Sequence, residues 1–544
     1  MINNSGTISG GTADDSLEGY SIKTEGSSGS ATINNLQNGI LRGSLFLEGS
    51  GTSLINAGLI DFQKKNDSGY VQGSFTQTAT GTLRFTAAGD NSEGDYSQLR
   101  VEGIATIAGK ADVNVKQINT LAIGQTLERV VRAGELNGNF TQVTDNSALF
   151  NFVSVATQGD DGFINFNIVK GLTAVESVNS NNNPSGLGAA GALDTIIDRG
   201  TTNPDMQRLV TALGELGTAQ EVSDAVSQTT PLLAANAALA SRAALGGINR
   251  VIEARMDANN GMSSGDEFYG DSKLWLKPFG SWADQDDRSG VSGFDANTAG
   301  LVVGADATLS ERTRVGVAFA YAKSDVNGNS NVAPNSADID MYQVIGYGSY
   351  SLDQDIELNF QAGIGQNTTD GKKDILLLGE TAKANYDSLL ATAGVGLART
   401  FTLSDKTTFT PSVRTDYTWI KDEGYTEKGS SANLKVDSQT TDQLVLGIDG
   451  KISHEVMAGT RLVANLGVGY DALNDQSSIN SAFAGEPSIG FTTRGLDTSP
   501  WRQSAGVGVI HEAANGMEVS LRYDTEHSEG FLNQTASIKA RWDF

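Results

Sequence analysis

The sequence predicts an all-β chain with linker helices. It starts as the end of a right-handed β-solenoid and continues as a twelve-stranded transmembrane β-barrel with a helix in its lumen. Three observations predict this. A short Asn/Gly phrase recurs near the N-terminus. Two-faced strand runs fill the C-terminal half, joined by connections of alternating length. One alanine-rich run of helical period lies between the two regions.

Composition narrows the possibilities first. At 544 residues the chain is too long for one ordinary domain. A net charge of −26 argues against a nucleic-acid partner, because a phosphate binder needs a basic surface. With no cysteine there can be no disulfide framework, thiolate metal site or cysteine nucleophile. The three histidines, His454, His511 and His527, are far apart and sit in no zinc or triad motif. No catalytic residue, metal ligand or cofactor is therefore expected. No run approaches the ~18–20 apolar residues of a membrane-spanning helix. The opening "MINNSGTISGG" has neither the basic start nor the apolar core of a signal peptide. If exported, the chain is expected to be a piece of a longer one. Low hydrophobicity is still compatible with a membrane barrel, where only alternate residues meet lipid.

Residues 1–72 carry the repeat: Ile2-Asn3-Asn4-Ser5-Gly6-Thr7-Ile8, Ile33-Asn34-Asn35 with Gly39-Ile40, and Ile55-Asn56-Ala57-Gly58-Leu59-Ile60. Such a phrase suits a solenoid rung, with apolar residues inward, Asn bonding along the stack and Gly at the corner. Residues 73–170 continue with strands such as Gly81-Thr82-Leu83-Arg84-Phe85, broken by Gly turns, and end on "GFINFNIVKG". Residues 171–202, with "VNSNNNPSG", have the composition of a linker. A helical linker spans 203–269. Asn203-Pro204-Asp205 is a helix start, with Asn as cap, Pro at the first position and Asp in the first turn. Leu209, Val210, Leu213 and Leu216 follow at helical spacing. A second start at Thr230-Pro231 opens the run to Met256, about 39 Å long as a helix and thin because it is rich in alanine. That length and its place before the first strand suggest a helix filling the lumen.

The barrel is expected over 270–544. Its runs lie near 273–283, 297–309, 314–324, 336–350, 355–369, 383–401, 407–421, 439–453, 459–471, 501–512, 516–527 and 531–544. Tight turns such as "SERT" (310–313) and "SDK" (404–406) alternate with long polar loops such as 284–296, 422–438 and 472–500. That alternation is the layout of an outer-membrane barrel, which must close because lipid offers the backbone no partners. Trp275, Trp282, Tyr321, Trp419, Tyr470, Trp501 and Trp542 are expected in aromatic girdles. Glu518, Arg522, Asp524, Lys539 and Arg541 suit a wet lumen, where Glu518 and Asp524 could pair with Arg242, Arg250 and Arg255 of the helix. The last strand places Ile538, Ala540 and Trp542 toward lipid, should pair with the first strand, and ends on Phe544.

This order of parts resembles a type Va autotransporter. The matching stretches are "GSFTQTATGTLRFTAAG…YSQLRVEGIATIAGKADV", which is similar to the autochaperone end of a passenger, "EARMDANNGMSSGDEFYGDSKLWLKPFGSW", similar to the start of a translocator, and "ASIKARWDF". The resemblance implies a Gram-negative outer-membrane protein whose barrel assists delivery of its own N-terminal passenger to the cell surface. It also implies that Trp542 and Phe544 form the signature read by the outer-membrane barrel assembly machinery. The expected partners are outer-membrane lipid, that machinery and an unknown surface ligand of an adhesin-like passenger, with the barrel monomeric. The alternative is a carrier for a hydrolase lying upstream. A general porin is disfavoured by the helix and the solenoid. Some family members cut their passenger free at an Asn–Asn bond placed before an Arg-Met segment. Here Asn259-Asn260 follows Arg255-Met256, and Arg250-Val251 stand where the pair belongs, so an intact chain is expected.

Overall fold

Asn35 shows why the N-terminal residues stack. Its Nδ2 donates to Asn56 Oδ1 at 2.8 Å, while its own Oδ1 accepts from Asn4 Nδ2 at 2.8 Å. Asn56 continues the ladder to Gln77 at 3.1 Å. All four side chains are buried, so each amide depends on the rung above or below for its partners. The computed structural model describes residues 1–10, 19–26, 29–89, 94–116, 123–257, 273–353, 355–513 and 517–543. These form two units, residues 1–181 with 190–226, and residues 182–189 with 227–544.

In the first unit, Ile2–Asn4, Thr32–Asn35, Ser53–Asn56 and Ser74–Gln77 pair in parallel and run on to Gln98–Ile107. The register sets Ile33 on Leu54 and Leu54 on Phe75, all fully buried. A second parallel sheet runs from Thr7–Ser9 through Ile40–Arg42, Leu59–Asp61, Thr82–Ala87 and Lys110–Val115 to Gln142–Asp145. A third face joins Tyr20–Thr24, Ser44–Leu47 and Ser68–Val71. The corner at Gly58 admits no side chain, since a Cβ there would lie 2.2 Å from the Gly39 carbonyl oxygen. The stack ends when pairing turns antiparallel. Thr126–Gly138 meets Phe163–Lys170, which meets Phe150–Thr157. Phe85, Phe140 and Phe166 close the core there, with ring centroids 5.6–6.3 Å apart.

The stretch 171–202 differs from the expected linker, because it contains the helices Ala174–Ser180 and Leu187–Arg199. A capping box fixes the first, with Thr173 Oγ1 accepting from Glu176 N–H and Glu176 Oε2 from Thr173 N–H. Asn203 caps Pro204–Gly214 through Asp205 and Met206 N–H, and Ala219–Ser227 follows.

The second unit holds the barrel. Its strands are Lys273–Gln285, Phe294–Ser310, Thr313–Gly328, Asn335–Ser351, Ile356–Ile375, Glu380–Arg399, Thr407–Asp422, Gln439–Met457, Thr460–Asp471, Trp501–Glu512, Glu518–Ser528 and Phe531–Asp543. Each pairs antiparallel with the next, and the last with the first, Leu276 lying opposite Ala540. The sheet is thus a closed twelve-stranded barrel. Ile364 and Leu466, both 71% exposed, point outward, whereas Ala320 and Ile345 of the inner face are fully buried. Among the described residues no helix is long and apolar enough to cross a membrane. Several strands outrun their apolar pattern at the long-loop end, the fifth and sixth reaching 20 residues each. A crossing needs only ~9–11, so these strands project as arms. The loops at 422–438 and 472–500, read as polar, instead pair into a small sheet of Tyr425–Thr426, Leu434–Val436, Ser478–Phe483 and Gly490–Arg494.

Candidate functional site

The lumen is occupied. Helix Leu232–Asp257 begins just after Pro231, whose carbonyl accepts from Ala234 N–H at 3.1 Å. From Leu232 to Met256 it is buried or half-buried on every side. Alanines at 234, 235, 237, 238, 240 and 244 let the barrel wall approach closely. A Cβ on Gly371 of the wall would meet Leu233 at 2.4 Å, and one on Gly247 of the helix would sit 3.4 Å from the Phe279 ring. The N-terminal end is tied to the long-loop end of the barrel. Lys373 Nζ donates to Thr230 C=O at 3.4 Å and pairs with Glu427 at 3.1 Å, both side chains being buried.

The C-terminal end is fixed more firmly. Arg255, fully buried, forms a two-pronged pair with Asp306 of the second strand, Nε to Oδ2 and Nη2 to Oδ1, each at 2.6 Å. Tyr347 Oη donates to Asp306 Oδ2 at 2.9 Å, and Trp275 Nε1 donates to Tyr347 Oη at 2.6 Å. Burying such charges is tolerable only when their bonding is nearly complete. The network also corrects one expectation. Trp275 is not a girdle residue but points into the lumen, fully buried over Gly304, where a Cβ would lie 2.5 Å from the ring. Trp282 and Trp501, at 49% and 59% exposed, do face outward.

Charged residues line the far side of the helix. Arg250 pairs with Glu526, which also accepts from Arg502 at 3.1 Å. Glu253 pairs with Arg414 at 2.9 Å, and Arg414 also grips Asp416 through two bonds of 2.7 Å. Between the helix and this wall lies a cavity of about 210 Å³ lined by Arg242, Asn249, Arg250, Arg414, Asp449 and Arg502 among others. At about 30 Å³ per water it has room for several waters.

The expected partners of the helix arginines are exchanged only in part, since Asp524 still acts on the Arg250 guanidinium through space. Glu518 pairs with Lys539, both buried. Asp524 is taken by Arg522 at 2.9 Å, and Arg522 also donates to Asn465 at 3.0 Å. Arg250 and Arg255 meet Glu526 and Asp306 instead, and Arg242 lines the cavity. The physical reason is register. Glu518 lies directly opposite Arg541, one pleat from Lys539, so the wall neutralises its own charges before the helix can reach them. Asp306, Glu526 and Arg414 were missed because nothing local marks them, as their role depends on which barrel height each helix turn reaches. Trp542 and Arg541 lie in the last strand opposite Leu274 and Trp275. Their side chains, Phe544, and the Asn259-Asn260 pair lie outside the described residues. Among the described residues no cluster of three or more His, Asp or Glu could hold a metal ion.

Comparison with known proteins adds the following. The family model "Autotransporter beta-domain" matches residues 274–524. Outer membrane protein B of Rickettsia prowazekii is 22% identical over 298 residues, covering 53% of this chain and 18% of that protein. Outer membrane protein A of Rickettsia conorii is 27% identical over 321 residues, covering 54% of this chain and 15% of that protein. The chain spans less than a fifth of the length of these curated relatives. Among solved structures, the translocator domain of autotransporter NalP from Neisseria meningitidis is similar, with a TM-score of 0.44 and 17% identity, over 55% of this chain and 98% of that one.

Proposed function

Residues 274–524 are an autotransporter β-domain of the outer membrane, and from that premise we propose that this chain delivers and displays its own N-terminal solenoid at the cell surface. Such a domain is a transporter rather than a catalyst. The observation that carries the proposal is the helix Leu232–Asp257. It threads the lumen and is the segment of chain that precedes the first strand, so everything N-terminal to it is tethered through the pore. The tether remains while the Asn259-Asn260 bond stays uncut. The passenger is read as adhesin-like because its rungs carry regular lateral ladders, such as Arg42, Asp61, Arg84 and Asp112, suited to extended contact with a surface ligand. Residues 73–170 act as the folding nucleus on which earlier rungs stack. Trp542 and Phe544 engage the barrel assembly machinery, and deletion of Phe544 lowers the yield of heat-modifiable folded barrel. The closed sheet leaves no edge to recruit a second barrel, which supports a monomer.

The test is protease shaving of intact cells expressing the full chain with an epitope at residue 1. The epitope is expected to be lost from the cells while a barrel fragment persists. An epitope shielded until the cells are lysed would overturn the proposal, and a barrel fragment starting at Asn260 in unshaved cells would overturn the intact tether.

A further inference from the structure

Three lysines stand abreast on the outer face of the barrel arms. Strands five and six put Lys372 directly opposite Lys383. A two-way backbone bridge, with N–H···O distances of 2.8 and 2.9 Å, puts Lys383 beside Lys428 of the 422–438 loop. All three side chains are exposed, and among the described residues none forms a salt bridge. Like charges directly opposite one another across strands are unfavourable. They are also out of keeping with a chain holding 64 acidic and 38 basic residues.

The nearest carboxylates relieve this row only in part, through the attraction between Lys372 and Asp338. One pleat closer to the membrane, Asp325, Asp338 and Asp370 lie side by side. Asp338 is held by Lys323 at 3.2 Å, and Asp370 accepts from Asn385. Asp374, one pleat further out, accepts from Thr381 Oγ1 at 2.8 Å. Lys383 and Lys428 have no carboxylate in a salt bridge with them among the described residues, so the row keeps positive charge open to a ligand from outside the protein.

Its height says what lies there. The outward row Tyr321, Tyr342, Gln366 and Leu389 tops the apolar band, its two tyrosines packed 5.1 Å apart. Lys372 is six residues beyond Gln366 on the same face. At ~3.3 Å per residue and a ~40° tilt, the lysines stand roughly 15 Å above that band. That level is above the lipid headgroup phosphates and within the sugar layer of an outer-leaflet glycolipid. We propose that Lys372, Lys383 and Lys428 form a docking row for the phosphorylated core sugars of the glycolipid surrounding the barrel. Adjacent strands are ~4.8 Å apart, so one phosphate between two neighbours meets both ammonium groups. The inference rests on the outer-membrane placement with long loops outward.

The test uses the full chain in nanodiscs. One set contains glycolipid with its phosphorylated core, the other the same lipid truncated to its acylated disaccharide. The variants are K372Q/K383Q/K428Q and, as a control at the short-turn end, R312Q/K406Q. Wild type and control are expected to retain the phosphorylated-core lipid about five-fold better than the triple variant at low salt, and to lose that advantage at high salt. Truncated lipid should be retained equally by all three. The triple variant should keep its heat-modifiable gel shift, because removing a like-charge row does not weaken the fold. Equal retention of phosphorylated-core lipid by wild type and triple variant would overturn the proposal. So would wild-type capture of soluble polyphosphate without any preference for the phosphorylated-core lipid, since that result assigns the row to a soluble polyanion.

Discussion

Arg255 is where helix and barrel depend on each other most. Its carboxylate partner Asp306 also accepts from Tyr347, so truncating the arginine leaves a buried acid with only a phenol to satisfy it. Arg255→Ala is expected to cost about 3–5 kcal/mol, the range for breaking a buried pair from one side. The gel-shift temperature at which the barrel unfolds should fall clearly. Arg242→Ala, on the cavity side, should lower it less, because Arg242 acts on Asp471, Asp442 and Asp422 only through space and grips none of them as Arg255 grips Asp306. Equal effects would deny Arg255 its special place. Asp194 offers a pH-dependent counterpart in the first unit. Burial pushes its carboxyl above the usual range, although Ala174 and Val175 N–H groups at 2.8 and 3.1 Å favour the charge. A raised native value means the folded state holds the proton longer than the unfolded state. The aspartate's contribution to stability therefore falls as pH rises from about the ordinary 3.8 through the native value, and is flat above it. The stability difference between wild type and Asp194→Asn, from urea unfolding of residues 1–227, should move against the wild type over that window. A constant difference would show that the two N–H bonds offset burial, and one that favours the wild type as pH rises that they outweigh it.

Among the elements, the solenoid was the most legible because its signal is local and repeated. The Ile-Asn-Asn phrase carries inward apolar residue and laddered amide together, so spacing alone sets both. Asn35→Ala removes two ladder links and leaves Asn4 Nδ2 and Asn56 Oδ1 each short of one partner, at an expected cost of about 1–3 kcal/mol. Asn34→Ala, whose bond to Asn3 is exposed, should cost far less. Urea midpoints of the two variants check this, and similar losses would make the ladder ornamental. The barrel strands were legible for the same reason, since alternation such as Val317-Ala318-Phe319-Ala320 sets lipid and lumen faces without reference to distant residues. The helix at Ala174–Ser180 was missed although its Thr173–Glu176 box is plain in the sequence, because "NSNNNPSG", which begins in its last turn at Asn179, dominates the local composition. The sheet of Leu434–Val436 with Ser478–Phe483 could not be read, as its short strands come from loops some forty residues apart and carry no long alternating run. Within the lumen, the identity of the helix was legible and its partners were not. Ion pairing there depends on how far each strand is staggered around the barrel, which no single strand encodes.

For the molecule as a whole, the question is whether the helix merely passes through the barrel or closes it. Strands one to five and the last strand lie against one side of the helix, while the opposite side keeps the charged cavity of about 210 Å³. A cavity of that size holds several waters but is a small remnant of the space that 26 helical residues occupy. The lumen wall is rich in charge, so an emptied pore would stay wet rather than collapse onto itself. Pairs such as Arg255–Asp306 and Glu253–Arg414 hold the helix at fixed heights, which makes it a plug as well as a tether. Residues 270–544 alone are expected to conduct ions in a planar bilayer at least about ten-fold better than residues 220–544, because the removed helix is the main obstruction. In the longer protein Arg255→Ala should raise conductance part of the way, as loosened anchoring lets the helix leave the lumen intermittently. Equal conductance of the two lengths would mean that the loops of the long-loop end, not the helix, seal the pore, and the helix would then be a tether only.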